Sequence, residues 1–154
     1  MIKIKLCYNG KKGDILKNNK DKKKVLILCT GNSCRSIIAE ALINKELNDI
    51  AYSHSSGVKA SKKVNPNAKK ILQIHNAWND NYHSKLLEDV LHNTYDLVVT
   101  VCDNAKESCP IFPKKTKIIH VGFEDPDTKE FKEFEKTYQL IKTILLPIIK
   151  KELS

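Results

Sequence analysis

The sequence has little that would place it in a membrane or cross-link it outside the cell. No apolar run approaches the roughly 20 residues that a transmembrane helix needs, and the amino terminus lacks the continuous apolar stretch of a signal peptide. Its five cysteines are an odd number and too sparse for the disulfide framework of a small secreted protein. We therefore expect a cytoplasmic protein without a membrane partner, whose thiols are reduced and in part chemically active.

Aromatic residues are also scarce, at 6% of the chain, and this limits what its basic charge can mean. Lysine and arginine outnumber the acids 27 to 18, which gives a net charge of +9. A basic surface is one mark of nucleic-acid binding, but few aromatic side chains are interleaved with the lysines to support that reading. We expect solvated helix faces that attract small anions, and no nucleic-acid partner.

The chain is long enough for one ordinary hydrophobic core, since it has 154 residues of which 41% are hydrophobic. Its first 24 residues contain nine lysines and only two acids. We predict a basic N-terminal extension at residues 1–22, either an edge strand or a loosely held segment, and a single monomeric domain at residues 23–154. Cys7 lies in this extension and has no partner at a telling spacing, so we expect no role for it.

One short stretch combines a buried strand, a small polar loop and a helix start. Residues 25–28 are four consecutive apolar residues, typical of a strand that is buried on both faces. The strand pattern ends at Cys29, and a helical pattern begins at Arg35 and continues to about Leu47. The intervening sequence completes a Cys-x5-Arg-Ser motif between a strand and a helix, a context that makes the motif specific.

This loop has the composition of an oxyanion-binding cradle. Backbone N–H groups of such a loop converge on one point, and the dipole of the following helix adds partial positive charge there. The same field favours a thiolate, so we expect the pKa of Cys29 to fall from about 8.5 to the range ~3.5–7.5. Arg35 has a charged fork that can bind two oxygens of an anion. The predicted oxyanion-binding residues are Thr30, Gly31, Asn32, Ser33, Cys34, Arg35 and Ser36.

The rest of the chain alternates strand and helix patterns. Further strands are predicted at residues 50–58, 95–101 and 117–121, and helices at 66–75, 84–92 and 131–153, the last bent or shortened at Pro147. Alternation of this kind predicts an α/β three-layer sandwich, in which a four-stranded parallel sheet is flanked by helices.

Three chemically capable residues follow the carboxyl ends of predicted strands: Cys29, Cys102 and Asp125. Ligands of such sheets bind outside these strand ends, so we expect the three residues at one edge of the sheet. Asp125 precedes Pro126, which holds the aspartate in an extended backbone and suits it to act as a general acid. A plain turn aspartate is the alternative.

A second pair of cysteines, Cys102 and Cys109, is separated by helix-compatible residues. In a helix their Cα atoms would lie about 10.5 Å apart along the axis, whereas a disulfide needs about 4.4–6.8 Å. We therefore predict that oxidation converts this helix into a loop, with two buried structural thiols as the alternative. A zinc site is disfavoured, because the sequence has no Cys-x2-Cys and no His-x3–5-His.

Together, the Cys29–Ser36 motif, the Asp125–Pro126 pair and the Cys102/Cys109 segment resemble the thioredoxin-coupled arsenate reductases. These enzymes share the fold of the low-molecular-weight protein tyrosine phosphatases. The resemblance implies that Cys29 attacks arsenate held by Arg35 and Ser36, and that Asp125 protonates the departing oxygen. It further implies that Cys102 and Cys109 then pass on a disulfide for thioredoxin to reduce, without a metal or organic cofactor. Phosphate and sulfate are expected to compete with arsenate.

Some relatives bind potassium beside the loop. Asn32, Glu40 and Ser55 match three of those ligands, but Lys85 replaces the fourth, so we predict no metal and expect the Lys85 ammonium in place of the cation. Cys34 is expected to be a structural or anion-contacting thiol outside the relay.

Two other functions fit the same motif. One is a phosphotyrosine or phosphomonoester phosphatase that uses Cys29, Arg35 and Asp125 while the downstream cysteines are idle. Against it, phosphatases of this fold typically have a tyrosine pair after the Asp-Pro, where this chain has Asp127 and Thr128. The other is a non-catalytic anion sensor or phospho-acceptor.

Overall fold

Four strands and five helices make up the part of the chain that the structure, a computed structural model, describes, residues 22–154. The strands are β1 (Lys23–Cys29), β2 (Ala51–Gly57), β3 (Leu97–Thr100) and β4 (Lys117–His120). The helices are α1 (Arg35–Glu46), α2 (Pro66–Ile74), α3 (Asp103–Glu107), α4 (Phe131–Leu140) and α5 (Leu146–Leu153).

The strands form one parallel sheet in the order β2-β1-β3-β4. The chain moves from β1 to one side and then returns past it to the other, so the strand order reverses between β1 and β3. The crevice at such a reversal, outside the carboxyl ends of the strands, is the usual ligand site of open α/β sheets. The predicted fold class, a four-stranded parallel sheet flanked by helices, is confirmed.

The core forms around β1, whose residues Val25 to Leu28 have no exposed surface. Helix α1 packs on β1 and β2 and is buried on nearly every side from Arg35 to Ile43. Two polar side chains of α1, Ser36 and Glu40, are therefore buried together with its apolar ones. Buried polar groups need hydrogen-bond partners, and these two find them beside the loop after β1.

The predicted helix at residues 84–92 is wrong. Only a 3₁₀ turn, Leu87–Asp89, is present there. The preceding backbone pairs with other elements, because Lys85 accepts a hydrogen bond from the Gly57 N–H at 3.1 Å and Leu86 forms a parallel bridge with Gly57. This extended pairing removes the first turn that a helix at residue 84 would need.

The final helix was predicted to be bent or shortened at Pro147, and the structure shows a change of winding just before this residue. Between α4 and α5 the segment Ile141–Leu145 is π-helical, and Pro147, whose missing N–H cannot complete an α-helical hydrogen bond, is the second residue of α5.

Two predictions fall partly outside the described residues. Residues 1–21, including Cys7, are not among them, and the boundary between extension and domain stays a prediction.

Among residues 22–154, no helix is both long and apolar enough to span a bilayer.

Candidate active site

Cys29 is the last residue of β1, and the loop that follows it leads directly into α1 at Arg35. The Cys29 thiol is 2% exposed. Its Sγ accepts a hydrogen bond from the Asn32 N–H at 3.2 Å and lies 2.8 Å from the Ser36 hydroxyl. The sulfur is therefore enclosed by donors from the loop and from the first turn of the helix.

A cavity of about 210 Å³ opens over this loop. Its lining includes five of the residues predicted to bind an oxyanion, together with the predicted nucleophile and general acid. The lining residues are Cys29, Thr30, Gly31, Ser33, Cys34, Arg35, Ser61, Asp125 and Asp127. Two predicted anion ligands, Asn32 and Ser36, are fully buried beneath the loop and do not line the cavity.

The Arg35 guanidinium connects the loop to Asp125. Its Nη1 donates to the Phe123 carbonyl at 2.9 Å, and its Nη2 lies 3.4 Å from the Asp125 carboxylate. The third nitrogen, Nε, is buried and has no hydrogen-bond partner among the described residues. A buried unpaired donor costs free energy, and an oxygen of a bound anion would satisfy it.

Two carboxylates lie at the mouth of the cavity. Asp125 is half exposed, and its Oδ1 accepts a hydrogen bond from the Asp127 N–H at 3.0 Å. Asp127 in turn accepts from the Asn65 side chain at 2.8 Å, which ties this loop to the start of α2. Asp127 was not among the predicted site residues, and the only signal for it was its position two residues after Asp125.

Asn32 organises the loop from below. It adopts a left-handed backbone conformation, with φ of 52°, which asparagine tolerates better than most residues. Its side-chain amide donates to the hydroxyls of Ser36 at 2.7 Å and Ser55 at 2.9 Å, and its Oδ1 accepts from the Lys85 N–H at 2.7 Å. One fully buried side chain thus joins β2, α1 and the segment before the 3₁₀ turn.

A buried ion pair continues this network. Lys85 Nζ lies 3.4 Å from Glu40 Oε1 and donates to the His83 carbonyl at 2.9 Å. The Ser55 hydroxyl donates to the same carboxylate oxygen. Burial raises the pKa of Glu40, while the Lys85 charge and the Ser55 hydrogen bond act in the opposite direction. The Lys85 ammonium therefore lies beside Glu40. Within residues 22–154, no group of three or more His, Cys, Asp or Glu side chains forms a metal-binding cluster.

The expected lowering of the Cys29 pKa is wrong. Burial raises the pKa of the Cys29 thiol, and this outweighs the hydrogen bonds from Ser36 and Asn32 and the charge of Arg35, which lower it. The sequence indicated the stabilising donors but not how completely the sulfur is removed from water.

Cys34 is also held as a neutral thiol. Burial, together with the negative charges of Asp127 and Asp125, raises its pKa to about 12. Its Sγ lies 3.9 Å from an Asp127 oxygen, a weak hydrogen bond in which the thiol donates.

The second pair of cysteines is joined by a helix, as the sequence predicts. Cys102 precedes α3 and caps it, its sulfur accepting from the Ala105 N–H at 3.4 Å. The same sulfur lies 3.2 Å from the Thr30 hydroxyl, so it contacts the loop that begins directly after Cys29. Cys109 is partly buried beyond the end of α3, and burial raises its pKa. These cysteines, like Cys29 and Cys34, are free thiols.

Comparison with known proteins agrees with this geometry. The family described as low molecular weight phosphotyrosine protein phosphatase matches residues 24–153. Arsenate reductase 2 of Staphylococcus haemolyticus strain JCSC1435 is 40% identical over 125 residues, covering 81% of this chain and 95% of that protein. The arsenate reductase of Bacillus cereus strain AH187 is 42% identical over 116 residues, covering 75% of this chain and 86% of that protein.

The fold comparison leads to the same group of proteins. The solved structure of an arsenate reductase in the phosphate binding state superposes with a TM-score of 0.70 at 25% identity, covering 86% of this chain and 99% of that one. Sequence, fold and the geometry around Cys29 agree, and the chain belongs to the low molecular weight phosphotyrosine protein phosphatase family.

Proposed function

We propose that this protein reduces arsenate to arsenite through a relay of Cys29, Cys102 and Cys109 that thioredoxin recharges. The similarity to arsenate reductases supports the substrate. The observation that carries the relay is the position of the Cys102 sulfur, 3.2 Å from the hydroxyl of Thr30, the residue after Cys29. A phosphatase needs no second thiol at the edge of its anion cradle, whereas a thiol relay does.

Arsenate binds in the cavity above Cys29. Its tetrahedral oxygens accept from loop N–H groups and from the buried, unpaired Nε of Arg35, which gives a charge-assisted hydrogen bond. Phosphate and sulfate have the same shape and charge, so they compete for the cavity.

The first chemical step forms a bond between the Cys29 sulfur and arsenic. Because burial raises the pKa of Cys29, the thiol enters the reaction protonated. The arsenate dianion accepts this proton. The site then holds a thiolate beside an arsenate monoanion, with the same total number of protons as before. One arsenate oxygen then leaves as water with a proton from Asp125, whose carboxyl lies at the mouth of the cavity.

The second step transfers two electrons. Cys102 attacks the Cys29 sulfur, an S–S bond forms and the S–As bond breaks, with its electron pair remaining on arsenic. Arsenic is reduced from As(V) to As(III) and leaves as arsenite, while two thiols are oxidised to one disulfide. Cys109 then attacks the Cys102 sulfur, which frees Cys29 and leaves a Cys102–Cys109 disulfide for the dithiol of thioredoxin to reduce.

The decisive experiment measures arsenite release in the presence of thioredoxin, thioredoxin reductase and NADPH. We expect sustained turnover by the wild type and by Cys7→Ser, a control that removes a thiol outside the relay. Cys109→Ser is expected to release at most about one arsenite per enzyme, because the Cys29–Cys102 disulfide cannot move on. Sustained turnover by Cys109→Ser, or full activity in Cys102→Ser, would refute the relay.

Hydrolysis of phosphomonoesters is the second candidate, and the family match favours it. It would use Cys29, Arg35 and Asp125, which line the same cavity, and would not need the downstream thiols. Aryl phosphate hydrolysis that survives Cys102→Ser and Cys109→Ser, with no arsenite released by the wild type, would identify the protein as a phosphatase.

A further inference from the structure

Helix α3, which carries the relay cysteines at its two ends, is too short to be stable alone. It contains five residues, Asp103–Glu107, and helices of this length need tertiary contacts because nucleation is costly. Only one of its side chains, Ala105, is fully buried. The contacts around its first turn therefore decide how firmly the helix is held.

His120, the last residue of β4, makes contacts on both sides of Cys102. Its Nδ1 shares a hydrogen bond of 2.8 Å with the Thr100 hydroxyl, and its Nε2 lies 3.3 Å from the Asp103 carboxylate. Thr100 precedes Cys102 by two residues, and Asp103 follows it directly. One imidazole thus connects the end of β3 to the beginning of α3 across the cysteine.

Gly122 leaves the space that this imidazole needs. A Cβ at position 122 would lie 3.2 Å from His120 Nε2, closer than side-chain carbons normally approach. The backbone of Gly122 has no left-handed conformation, and a larger residue there would press on the ring and displace it by a few tenths of an ångström.

We propose that His120 is a positioning residue that stabilises the dithiol form of the relay. This inference rests on the proposed function. Helix α3 occupies five of the six residues between Cys102 and Cys109 and spans about 7.5 Å at ~1.5 Å per residue, whereas a disulfide requires Cα atoms about 4.4–6.8 Å apart. The helical turn between the two cysteines must therefore open when the disulfide forms. The contact between His120 and Asp103 depends on the first turn of α3 and is lost when that turn opens.

The sign of the effect follows from the half-reaction. The Cys102–Cys109 disulfide accepts two electrons and two protons to give two thiols, and the contact between His120 and Asp103 stabilises only the product, while the bond to Thr100 holds the imidazole in place. The contact with Asp103 therefore raises the reduction potential and makes the disulfide easier for a protein dithiol to reduce. Without it, more of the disulfide remains at the same concentration of reductant.

The test is the equilibrium between the full-length protein and mixtures of reduced and oxidised glutathione, with the Cys102–Cys109 disulfide quantified by mass spectrometry after acid quenching. In His120→Ala we expect a three- to tenfold shift toward the disulfide, about 14–30 mV for a two-electron couple. His120→Gln, whose amide can replace the ring nitrogens, should shift the equilibrium less than His120→Ala does. Asp103→Asn should shift the equilibrium in the same direction, and the double variant with His120→Ala should shift it by less than the sum.

Lys117→Gln is the matched control. It removes an ion pair of the same strand, between Lys117 and Glu152 at 2.9 Å, without touching α3. It should leave the glutathione equilibrium unchanged. Amide exchange of residues 103–107 should accelerate in His120→Ala but not in Lys117→Gln.

Two results would overturn the inference in different ways. A wild-type glutathione equilibrium in His120→Ala, or an equal shift in Lys117→Gln, would refute the role of His120 and leave the relay intact. Failure of wild-type protein to form the Cys102–Cys109 disulfide, with either oxidised glutathione or arsenate, would refute the relay and the role of His120 with it.

Discussion

Cys29 ends β1, and Cys102 lies two residues beyond the end of the neighbouring strand β3, yet the structures that hold them differ. On the Cys29 side, the loop rests on a buried network of side chains in which Asn32 alone makes three side-chain hydrogen bonds. On the Cys102 side, one short helix exposes every residue except Ala105 to solvent. The first arrangement keeps donors fixed around an anion, and the second leaves a segment that can open at low cost.

This difference follows from the two tasks of the proposed reaction. Binding a tetrahedral anion requires preorganised donors, because donors that must be ordered on binding weaken the complex. Moving a disulfide from Cys29 to Cys109 requires the opposite property, since sulfurs seven residues apart must meet. We therefore regard the rigid side as the binding part of the site and the α3 side as its moving part.

The largest predicted difference concerns the thiols themselves. The pKa of Cys34, on the rigid side, is raised to about 12 from an ordinary 9.0, so its thiolate fraction at pH 8 is about 10³-fold below that of an ordinary thiol. Burial raises the pKa of Cys109, on the moving side, as well, but this thiol is only partly buried. We therefore expect iodoacetamide to label Cys109 while Cys34 remains unmodified, as measured by peptide mass spectrometry over time. Equal labelling rates would show that the two sides do not differ in this way.

Arg35→Lys tests whether the rigid side works through geometry or charge. Lysine keeps the positive charge but loses the fork that combines the Phe123 carbonyl, the Asp125 carboxylate and the unpaired Nε. We expect arsenate reduction, measured as kcat/KM, to fall roughly 10²–10³-fold. The disulfide equilibrium of Cys102 and Cys109 should be unaffected, and a change there would mean that the two sides are coupled.

The sequence predicted the parts of both sides that depend on local patterns. The continuous apolar residues of β1 and the Cys-x5-Arg spacing indicated the loop, and the helix-compatible residues between Cys102 and Cys109 indicated the helix that lies there. Beyond the convergence of strand ends and the place of Lys85 beside Glu40, it did not predict contacts between distant segments. The Asn32 side chain binds the backbone of Lys85, 53 residues away, and this contributes to the failure of the predicted helix at 84–92. The raised pKa of Cys29 was missed for a related reason, because burial is a property of the packed fold.

Lys85→Met tests the buried ion pair under the loop. It leaves Glu40 without its partner, and removing one member of a buried pair typically costs about 3–5 kcal/mol. The pKa of Glu40 is already raised, and losing Lys85 raises it further. When the pKa of a carboxyl is higher in the folded protein than in the unfolded chain, the free energy of unfolding decreases as the pH rises between these two pKa values.

The variant should therefore resemble the wild type near pH 4.5, the ordinary pKa of Glu40, and become progressively less stable at higher pH. Denaturant unfolding at several pH values measures this. Lys117→Met, which removes an exposed pair with Glu152, serves as the control and should cost at most about 1 kcal/mol at any pH. A pH-independent loss in Lys85→Met would mean that Glu40 is not the group responsible.

The smallest predicted effect is a difference in the free energy of unfolding between two asparagine variants. Asn32 belongs to the loop, and Asn104 contacts it from α3. Asn32→Ala deletes three buried hydrogen bonds and puts alanine at φ of 52°, so we expect a loss of about 2–3 kcal/mol in the free energy of unfolding. Asn104→Ala removes only an exposed hydrogen bond of 3.3 Å from α3 to the Thr30 hydroxyl, and surface changes of this kind cost about 0.5 kcal/mol or less. Chemical denaturation of both variants gives the two values directly. If they were equal, the loop would be held no more firmly from below than from the α3 side, and the division of the site into a rigid and a moving part would have to be abandoned.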